Sequence, residues 1–355
     1  MYEEFMGTKP VAERQKVDLG ALSDYMHKHV AGLSGDLQIQ QFKGGQSNPT
    51  FMLTAGSQRY VLRTKPAPAA KLLPSAHAIE REFRVMDALS KAGFPAARQY
   101  ALCEDEEVIG RAFYIMEFMD GRVLWDQSMP DMSNAERAAH YDEMNRVIAQ
   151  LHTIDYKAIG LETYGKPGNY FGRQIDRWTR QYKASETEHI PAMEHLIEWL
   201  PQHIPAGEQT TIVHGDYRLD NMIFHPTEPR ILAVLDWELS TLGHPLADFS
   251  YHCMSWHIVP GLFRGIAGLD LKSLGIPSEE DYLAKYSERT GIAIHKEDFR
   301  FYLAYNMFRM AGILQGIMKR YQDGTAASEQ ALKNGQAARP MAEMGWEFAS
   351  GKKTI

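Results

Sequence analysis

Apolar positions change their spacing along this chain and predict two regions of different structure. They recur at helical spacing from residue 19 to residue 30, which predicts an N-terminal helix that ends near Gly32. From residue 37 to about residue 118 the apolar runs are short, as in strands, and one helix from roughly residue 75 to residue 92 interrupts them. The first third of the chain is therefore predicted to be rich in β-structure.

The remainder of the chain is predicted to be mainly helical. A polar stretch reaches Asp131, and Ser133 with Glu136 then forms the capping box that begins a helix. Helical spacing returns at residues 169–183 and 301–321. Three short apolar runs between these helices predict strands, at 211–213, 222–224 and 231–235.

Composition excludes several classes of protein. The 355 residues carry a net charge of −7, and the basic residues are scattered, so no nucleic-acid-binding surface is indicated. No apolar run approaches the roughly 18 residues of a membrane span, and the polar N-terminus is unlike a secretion signal. Cys103 and Cys253 form no CxxC pair, which favours a reducing compartment. These features together predict a soluble cytoplasmic protein without a membrane partner.

The most informative segment lies in the middle of the chain, where HGDYRLDN at 214–221 is followed by LDW at 235–237. It places Asp216, an Asn five residues later and a second Asp fifteen residues after that. In kinase-like phosphotransferases the first Asp accepts the proton of the attacking hydroxyl, and the Asn and second Asp hold Mg²⁺. The order predicts Asp216 as general base and Asn221 and Asp236 as metal ligands. The flanking strands are expected to bring all three to one end of a small sheet.

These motifs resemble those of the aminoglycoside phosphotransferase and choline kinase group, and GHPLAD at 243–248 resembles that group too. The resemblance assigns His214 and Asp248 to structure rather than chemistry. Longer stretches, among them GGQSNPTF, YVLRTKP and NYFGRQIDRWTRQY, resemble the kinase-like domain that some organisms fuse to acyl-CoA dehydrogenases. The resemblance implies an α+β protein-kinase-like bilobal fold. It places the nucleotide lobe at residues 1–120 and the catalytic and acceptor lobe at 121–355.

A glycine-containing loop between the first two predicted strands is a candidate phosphate-binding segment. Gly44 and Gly45 let backbone N–H groups approach a phosphate closely, and Ser47, Asn48 and Thr50 offer further donors. Two glycines between strands are also common in an ordinary hairpin. The position of this loop ahead of the other motifs favours the phosphate-binding interpretation.

The next predicted strand should supply the cation that pairs the α and β phosphates. Kinases generally use Lys, whereas this chain has Arg63 at the aligned position and Lys65 on the same strand face. We favour Arg63, with Lys65 as the second candidate. The partner carboxylate on the following helix is predicted to be Glu82, with Glu80 second, against the alternative of a solvated helix acid.

Two further assignments complete the nucleotide and catalytic residues. The resemblance places adenine against the backbone of the segment that contains Glu117 and Met119. Arg218 lies two residues beyond Asp216, where it could neutralise developing charge or bind the acceptor, although loop arginines more often pair with local carboxylates.

Arginines recur on the predicted helix 169–183 and bear on the identity of the acceptor. Arg173, Arg177 and Arg180 share one helical face, which favours an acceptor that carries carboxylate, phosphate or a CoA moiety. The alternative is a solvated face paired with neighbouring acids. Aminoglycosides are polycations that need acidic pockets, so this pattern disfavours them.

The sequence therefore predicts a Mg²⁺-dependent kinase that transfers the γ-phosphate of ATP, with GTP left open, to a hydroxyl of a small anionic metabolite. The fusion context implied by the resemblance suggests a hydroxyacyl acid or its CoA thioester, and partners in acyl-CoA metabolism. The alternative from another class is a non-catalytic, pseudokinase-like binding module, for which Arg63 in place of Lys is the feature in favour.

Overall fold

The protein is described here by a computed structural model covering residues 7–43, 48–66, 78–325 and 329–355. Its strands are β1 (Thr8–Lys9), β2 (Leu37–Phe42), β3 (Thr50–Ala55), β4 (Gln58–Thr64), β5 (Gln99–Cys103), β6 (Phe113–Glu117), β7 (Arg122–Val123), β8 (Thr211–Val213), β9 (Met222–Phe224), β10 (Ile231–Val234) and β11 (Thr241–Gly243). Its helices are α1 (Leu19–His29), α2 (Ile79–Lys91), α3 (Asn134–Thr153), α4 (Tyr170–Ala184), α5 (Pro191–Trp199), α6 (Pro245–Cys253), α7 (Leu271–Leu274), α8 (Glu279–Thr290), α9 (Lys296–Gln322), α10 (Glu329–Gln336) and α11 (Ala338–Ala349).

Contacts between residues divide the chain into two units. The first comprises Met1–Trp125, Lys157–Tyr164 and Asp220–Ser240, and the second comprises Asp126–Tyr156, Gly165–Leu219 and Thr241–Ile355. Two later segments thus belong with the N-terminal part of the chain. The simple division at residue 120 stays a prediction.

An antiparallel sheet in the order β1-β2-β3-β4-β6-β5 forms the framework of the first unit. Side chains alternate along β3, so that Phe51 and Leu53 are fully buried while their neighbours are half-buried. Leu22 and Met26 of α1 belong to the same apolar cluster. Burial of each such side chain stabilises the unit by roughly 1.5–3 kcal/mol. The predicted N-terminal helix is confirmed by α1.

Helix α2 presents one apolar face, but that face also carries an acid. Ile79, Val85 and Leu89 are fully buried at helical spacing, and Glu82 among them is only 2% exposed. An ionised carboxylate in that position costs several kcal/mol unless it is paired. The predicted helix is present from residue 79; its first residues, 75–77, lie outside the described part of the chain.

The central strands pair differently from the prediction. Strands β9 and β10 form an antiparallel hairpin that joins β7, whereas β8 pairs with β11 in a separate two-stranded sheet. The expectation of one small sheet containing all three runs was therefore wrong. The reason is that β11 satisfies the backbone of β8 through a pairing that is distant in sequence, between Gly243 and Thr211, and Thr-Leu-Gly is too short to be recognised as a strand.

The second unit is built mainly of helices. The capping box predicted at Ser133 is confirmed: the Ser133 side chain accepts from the backbone N–H of Glu136, and the Glu136 carboxylate accepts from the backbone N–H of Ser133. Helix α4 begins after Asn169. Helix α9 begins five residues earlier than predicted, at Lys296, because its first turn contains the polar residues Glu297 and Asp298. Among the described residues, no helix is both long and apolar enough to cross a membrane.

A histidine begins α6 and makes the stability of the second unit sensitive to pH. The Nδ1 atom of His244 accepts the backbone N–H of Leu246 at 3.2 Å, and its ring stacks on Tyr302. Burial, assisted by the charge of His152, lowers the pKa of His244 from 6.5 to about 4. The folded protein therefore holds this imidazole neutral at pH values where the unfolded chain would protonate it.

We predict that His244→Asn flattens the dependence of stability on pH between pH 6.5 and 4. As the pH falls, His244 of the wild type binds a proton in the unfolded chain before it does so in the folded protein. Its contribution to the free energy of unfolding is therefore complete above pH 6.5 and is lost as the pH falls toward 4. The loss is on the order of 3 kcal/mol. Asn retains an acceptor for the helix N-terminus but does not titrate. Denaturant unfolding across this pH range measures the slope, and His203→Asn, at an exposed site, is the control; an unchanged slope in His244→Asn would contradict the prediction.

Candidate active site

A buried ion pair joins the sheet of the first unit to α2. The Nε atom of Arg63 lies 2.8 Å from Oε2 of Glu82, and the two side chains are 11% and 2% exposed. Asn48 donates to the other Glu82 oxygen at 2.8 Å, and the Tyr114 hydroxyl donates to Oε2 at 3.1 Å. The carboxylate is thus partnered on both oxygens. This is the pairing that the sequence analysis favoured.

Burial and charge act in opposite directions on this pair. Burial alone would lower the pKa of Arg63, but the neighbouring Glu82 carboxylate outweighs it, so the pKa of Arg63 is raised. Burial also raises the pKa of Glu82, and the Arg63 guanidinium opposes that rise. The pair is held together by a guanidinium that stays charged at every relevant pH.

Arg63 also contacts the second aspartate of the central motif. Its Nη2 atom lies 3.3 Å from Oδ1 of Asp236, whose side chain is 35% exposed. Asp236 has φ 64° and ψ 63°, a left-handed conformation that Asp adopts more readily than most residues. The N–H of the adjacent Leu235 donates to the carbonyl of Asn221 at 2.7 Å, which ties together the two segments that carry the predicted metal ligands. Carboxylate and amide oxygens are the hard donors that Mg²⁺ prefers, so this pair of residues fits the ion.

The remaining nucleotide candidates of the first unit have other surroundings. Lys65 lies 3.4 Å from Glu80, with both side chains about one-third exposed, so the second-choice pair exists at the surface. The Thr50 hydroxyl donates to the Asn48 carbonyl and accepts from Nη1 of Arg63 at 3.3 Å. Asn48 and Thr50 therefore support the Arg63–Glu82 pair directly. Gly44, Gly45 and Ser47 lie outside the described residues.

The predicted adenine segment follows the end of β6. Glu117 is the last residue of β6. Glu117 pairs in register with Tyr60 of β4, and its backbone N–H donates to the Arg98 carbonyl at 2.9 Å. Met119 lies two residues beyond and is half-buried. Their assignment to adenine stays a prediction.

In the second unit, two side chains hold the carboxylate of Asp216. The Tyr251 hydroxyl donates to Oδ1 at 2.6 Å, and Nε of Arg218 lies 2.9 Å from Oδ2. Burial, with the adjacent negative charge of Asp216, raises the pKa of Tyr251, so its hydroxyl remains a donor. Arg218 thus takes the local carboxylate as partner, which was one of its predicted alternatives.

The loop that carries Asp216 is positioned from α6. The fully buried carboxylate of Asp248 accepts the backbone N–H groups of His214 at 2.7 Å and Gly215 at 2.8 Å. Gly215 has φ 83°, which glycine adopts without strain. Burial would raise the pKa of Asp248, but His152 and the charge and backbone N–H of His214 outweigh it, so the pKa is lowered. His214 in turn accepts the N–H of Asp216 through Nδ1 at 3.1 Å.

A sequence profile of the phosphotransferase enzyme family matches residues 38–273, which is about two-thirds of the chain and includes every residue of the central motif. The chain belongs to this family. Family members that act as small-molecule kinases use ATP and Mg²⁺ in general, and the residues just described fit that chemistry.

Individual relatives agree with the family assignment. Acyl-CoA dehydrogenase family member 10 of Mus musculus is 45% identical over 97% of this chain, and the match covers 32% of that relative, so the chain spans about a third of its length. A crystal structure from Ralstonia eutropha JMP134, provisionally classed as an aminoglycoside phosphotransferase, is 66% identical, with a TM-score of 0.88 over 96% of this chain and 100% of that one. Choline kinase of Cryptosporidium parvum Iowa II shares the fold with a TM-score of 0.62 at 14% identity, over 93% of this chain and 98% of its own. The predicted kinase-like α+β fold and the predicted resemblance are confirmed.

Two residues that sequence reasoning did not single out hold carboxylates of the candidate site. Tyr251 and His152 hold Asp216 and Asp248 respectively, and both were hidden in ordinary helical patterns. Arg309, on α9, donates to the Gly215 carbonyl at 2.6 Å and lies between the rings of Trp178 and Tyr251. The sequence points to Arg309 because it is a charged residue in the Met-rich apolar stretch 307–318 of this helix, where an arginine is expected to have a partner.

The three arginines of α4 are placed less favourably for an acceptor than the helical spacing suggested. Arg173 donates to the carbonyls of Gly168 and Lys166, and Arg180 pairs with Asp176 one turn away at 2.5 Å. Arg177 is exposed and lies 5.5 Å from the ring of Trp178. Arg180 therefore has an acidic partner, as the solvated-face alternative expects, whereas Arg173 is held by loop carbonyls. A role for these arginines in acceptor binding stays a prediction.

We predict that Asp248→Asn lowers the free energy of unfolding by about 3 kcal/mol. In the wild type both carboxylate oxygens accept a backbone N–H. The amide keeps one of these acceptors, but its NH₂ group replaces the other, so that two donors would face each other. Denaturant unfolding measures the change. Asp270→Asn is the matched control, because Asp270 caps an exposed helix end, where Asn serves equally well; equal midpoints for the two variants would contradict the assignment of Asp248.

Proposed function

We propose that the protein is a Mg²⁺-dependent phosphotransferase that moves the γ-phosphate of ATP to a hydroxyl of a small, anionic metabolite. The observation that carries this proposal is the double contact of Arg63, with Glu82 at 2.8 Å and with Asp236 at 3.3 Å. One guanidinium thereby links the helix acid to the aspartate expected to hold the metal. A non-catalytic binding module would have no need of a buried cation that contacts both Glu82 and Asp236.

On the nucleotide side, Arg63 would bind phosphate oxygens through its planar fork, in place of the lysine that kinases generally use. Asn221 and Asp236 would hold Mg²⁺, which when bound neutralises phosphate charge and orients the transferred group. Asp236 is exposed enough to reach an ion, and Asn221 is 7% exposed. Lys65, with its surface partner Glu80, is the weaker candidate for phosphate binding.

On the acceptor side, Asp216 would accept the proton of the attacking hydroxyl. The hydroxyl oxygen forms a bond to the γ-phosphorus, the bond from that phosphorus to the β–γ bridging oxygen breaks, and ADP departs with the electron pair. The proton passes to the Asp216 carboxylate and then to solvent. Tyr251, by donating to Oδ1, holds this carboxylate in place, and Oδ2, beside Nε of Arg218, is the oxygen that would accept the proton.

The acceptor is proposed to be a hydroxyacyl acid or its CoA thioester. The name of the mouse relative, an acyl-CoA dehydrogenase family member, supports an acyl substrate. The net charge of −7 does not by itself favour an anion, so the proposal depends on local cations near Asp216. Arg218 and Arg309 are such cations, and Arg309 is held by a carbonyl of the same loop. A polycationic aminoglycoside would meet both of them with like charge.

We predict that Asp236→Asn weakens the Mg²⁺-dependent binding of ATP by at least about tenfold. The substitution removes the charge of a metal ligand, while Asn tolerates the same left-handed backbone. Calorimetric titration of Mg·ATP, repeated with GTP and with EDTA, measures the affinity. Asp120→Asn, an exposed acid of the same unit that pairs with Arg59, is the control. No binding of either nucleotide by the folded wild type would sink the kinase proposal.

We predict that Asp216→Asn lowers the turnover number by about 10²–10⁴-fold while leaving Mg·ATP affinity within about twofold of wild type. The amide keeps the hydrogen bond from Tyr251 but cannot accept the proton. Release of ADP, measured with a panel of 2-, 3- and 4-hydroxy acids and their CoA thioesters, gives the rate. Retention of the full cellular function by this variant would instead favour the non-catalytic binding module.

A further inference from the structure

The peptide bond that precedes Asp216 is held at both of its polar ends. Its carbonyl, on Gly215, accepts a hydrogen bond from Nη2 of Arg309 at 2.6 Å, and its N–H, on Asp216, donates to Nδ1 of His214 at 3.1 Å. Because a peptide unit is planar, bonds to its two opposite edges fix the orientation of the whole plane. His214 belongs to the same loop, so Arg309 is the partner that ties this plane to a helix, α9.

Arg309 also contacts the side chain that holds the Asp216 carboxylate. Its guanidinium carbon lies 5.4 Å from the ring centroid of Tyr251 and 5.6 Å from that of Trp178. The Tyr251 hydroxyl donates to Oδ1 of Asp216 at 2.6 Å. A cation over an aromatic ring is attracted to the ring face, so Arg309 restrains Tyr251 as well as the backbone. One guanidinium therefore supports Asp216 by two separate routes.

No ion pair accounts for the buried charge of Arg309. The residue is 8% exposed, and among the described residues it forms no ion pair with an acid and donates to one acceptor, the Gly215 carbonyl. Arg137 is a buried arginine of the same unit whose guanidinium is better satisfied. It donates to three oxygens, on Met129, Asn134 and Leu274. Because removal of a guanidinium from water is costly unless its donors are satisfied, a poorly compensated one beside a candidate base indicates a functional constraint.

We propose that Arg309 is a positioning residue for the general base. It fixes the plane of the Gly215–Asp216 peptide and the ring of Tyr251, and thereby holds the Asp216 carboxylate in the orientation that accepts the proton of the attacking hydroxyl. This role requires no contact between Arg309 and either substrate. The proposal deepens the function proposed above and rests on it, because Asp216 acts as a base only if the protein transfers a phosphate.

The two routes also explain why an arginine stands at this position. A planar guanidinium can lie against two aromatic rings while one of its N–H groups donates in the plane of a carbonyl. A lysine can donate to the same carbonyl and keeps the charge, but it lacks the flat surface. A methionine fills the space between the rings but has neither donor nor charge. Lysine should therefore restore part of the function, and methionine none of it.

Turnover of these two variants tests the proposal first. Arg309→Met should lower kcat about 100-fold while leaving the KM for Mg·ATP within about twofold of wild type, because a small misplacement of the base affects only the transfer step. Arg309→Lys should stay within about tenfold of wild type. ADP release with the panel of hydroxy acids described above gives both constants. Arg320→Met, at an exposed position of the same helix, is the matched control and should behave as wild type.

A double-mutant cycle shows whether Arg309 acts through Asp216. In the Asp216→Asn background, Arg309→Met should lower the rate by no more than about twofold further, because the base that Arg309 positions is already absent. Transfer of radioactive γ-phosphate measures rates this slow. A further loss of about 100-fold in the double variant would mean that the two residues act independently, and it would overturn the proposal.

Hydrogen exchange gives a readout that does not depend on activity. The backbone amides of Gly215 and Asp216 both donate hydrogen bonds within the folded loop. Their exchange should become at least about tenfold faster in Arg309→Met, while the amides of α3 keep their protection. Faster exchange throughout the second unit would show general destabilisation, in which case Arg309→Lys, compared at the same amides, decides the question. Unchanged exchange at Gly215 and Asp216 in both variants would overturn the proposal.

The same experiments separate this proposal from the proposed function. If the wild type releases no ADP with any acceptor of the panel, the proposed function fails, and with it the role of Arg309 in positioning a base. Faster exchange in Arg309→Met would then show only a contact that holds the loop. If the wild type releases ADP and Arg309→Met has the same kcat, the proposed function stands and the role of Arg309 is overturned.

Discussion

A carboxylate removed from water must have partners on both oxygens, and each unit of this protein is organised around one such group. Glu82 is satisfied by Arg63, Asn48 and Tyr114, which come from three strands or their flanking loops. Asp248 is satisfied by two backbone N–H groups and His152. The cost of leaving either carboxylate unpaired is several kcal/mol, which is comparable with the whole stability of a domain. The contacts that satisfy these two buried carboxylates therefore also hold the candidate catalytic residues in place.

The choice of arginine at position 63 follows from the number of groups it serves. A lysine offers one ammonium, whereas the guanidinium of Arg63 contacts Glu82 through Nε, Thr50 through Nη1 and Asp236 through Nη2. Three acceptors in different directions match a planar fork better than a point charge. The departure from the usual kinase lysine is therefore consistent with a working site and weakens the main argument for a pseudokinase-like module.

Features that depend on short stretches of sequence were the ones that could be predicted. The presence of α1, α2 and α9, the capping box at Ser133 and the choice of Glu82 as the helix acid that pairs with Arg63 could all be inferred from spacing and residue type, although the bounds of α2 and α9 differ from the prediction by several residues. Pairings between distant segments could not, because β8 finds its partner in a strand of three residues with no distinctive pattern. Tyr251 was equally unpredictable, since a tyrosine in a buried helix shows nothing of which carboxylate it meets.

The positive charges of the second unit show why helical spacing alone misleads about binding sites. Arg173 and Arg180 share a face with Arg177, yet one binds loop carbonyls and the other an acid on its own helix. Arg218 was the less conspicuous candidate, but its Nε atom lies 2.9 Å from the carboxylate of Asp216, the residue that we propose as general base. A cation beside a proposed catalytic residue is a stronger indicator of ligand binding than a row of cations at the surface. The electrostatic case for an anionic acceptor therefore rests on the loop that carries Asp216 rather than on α4.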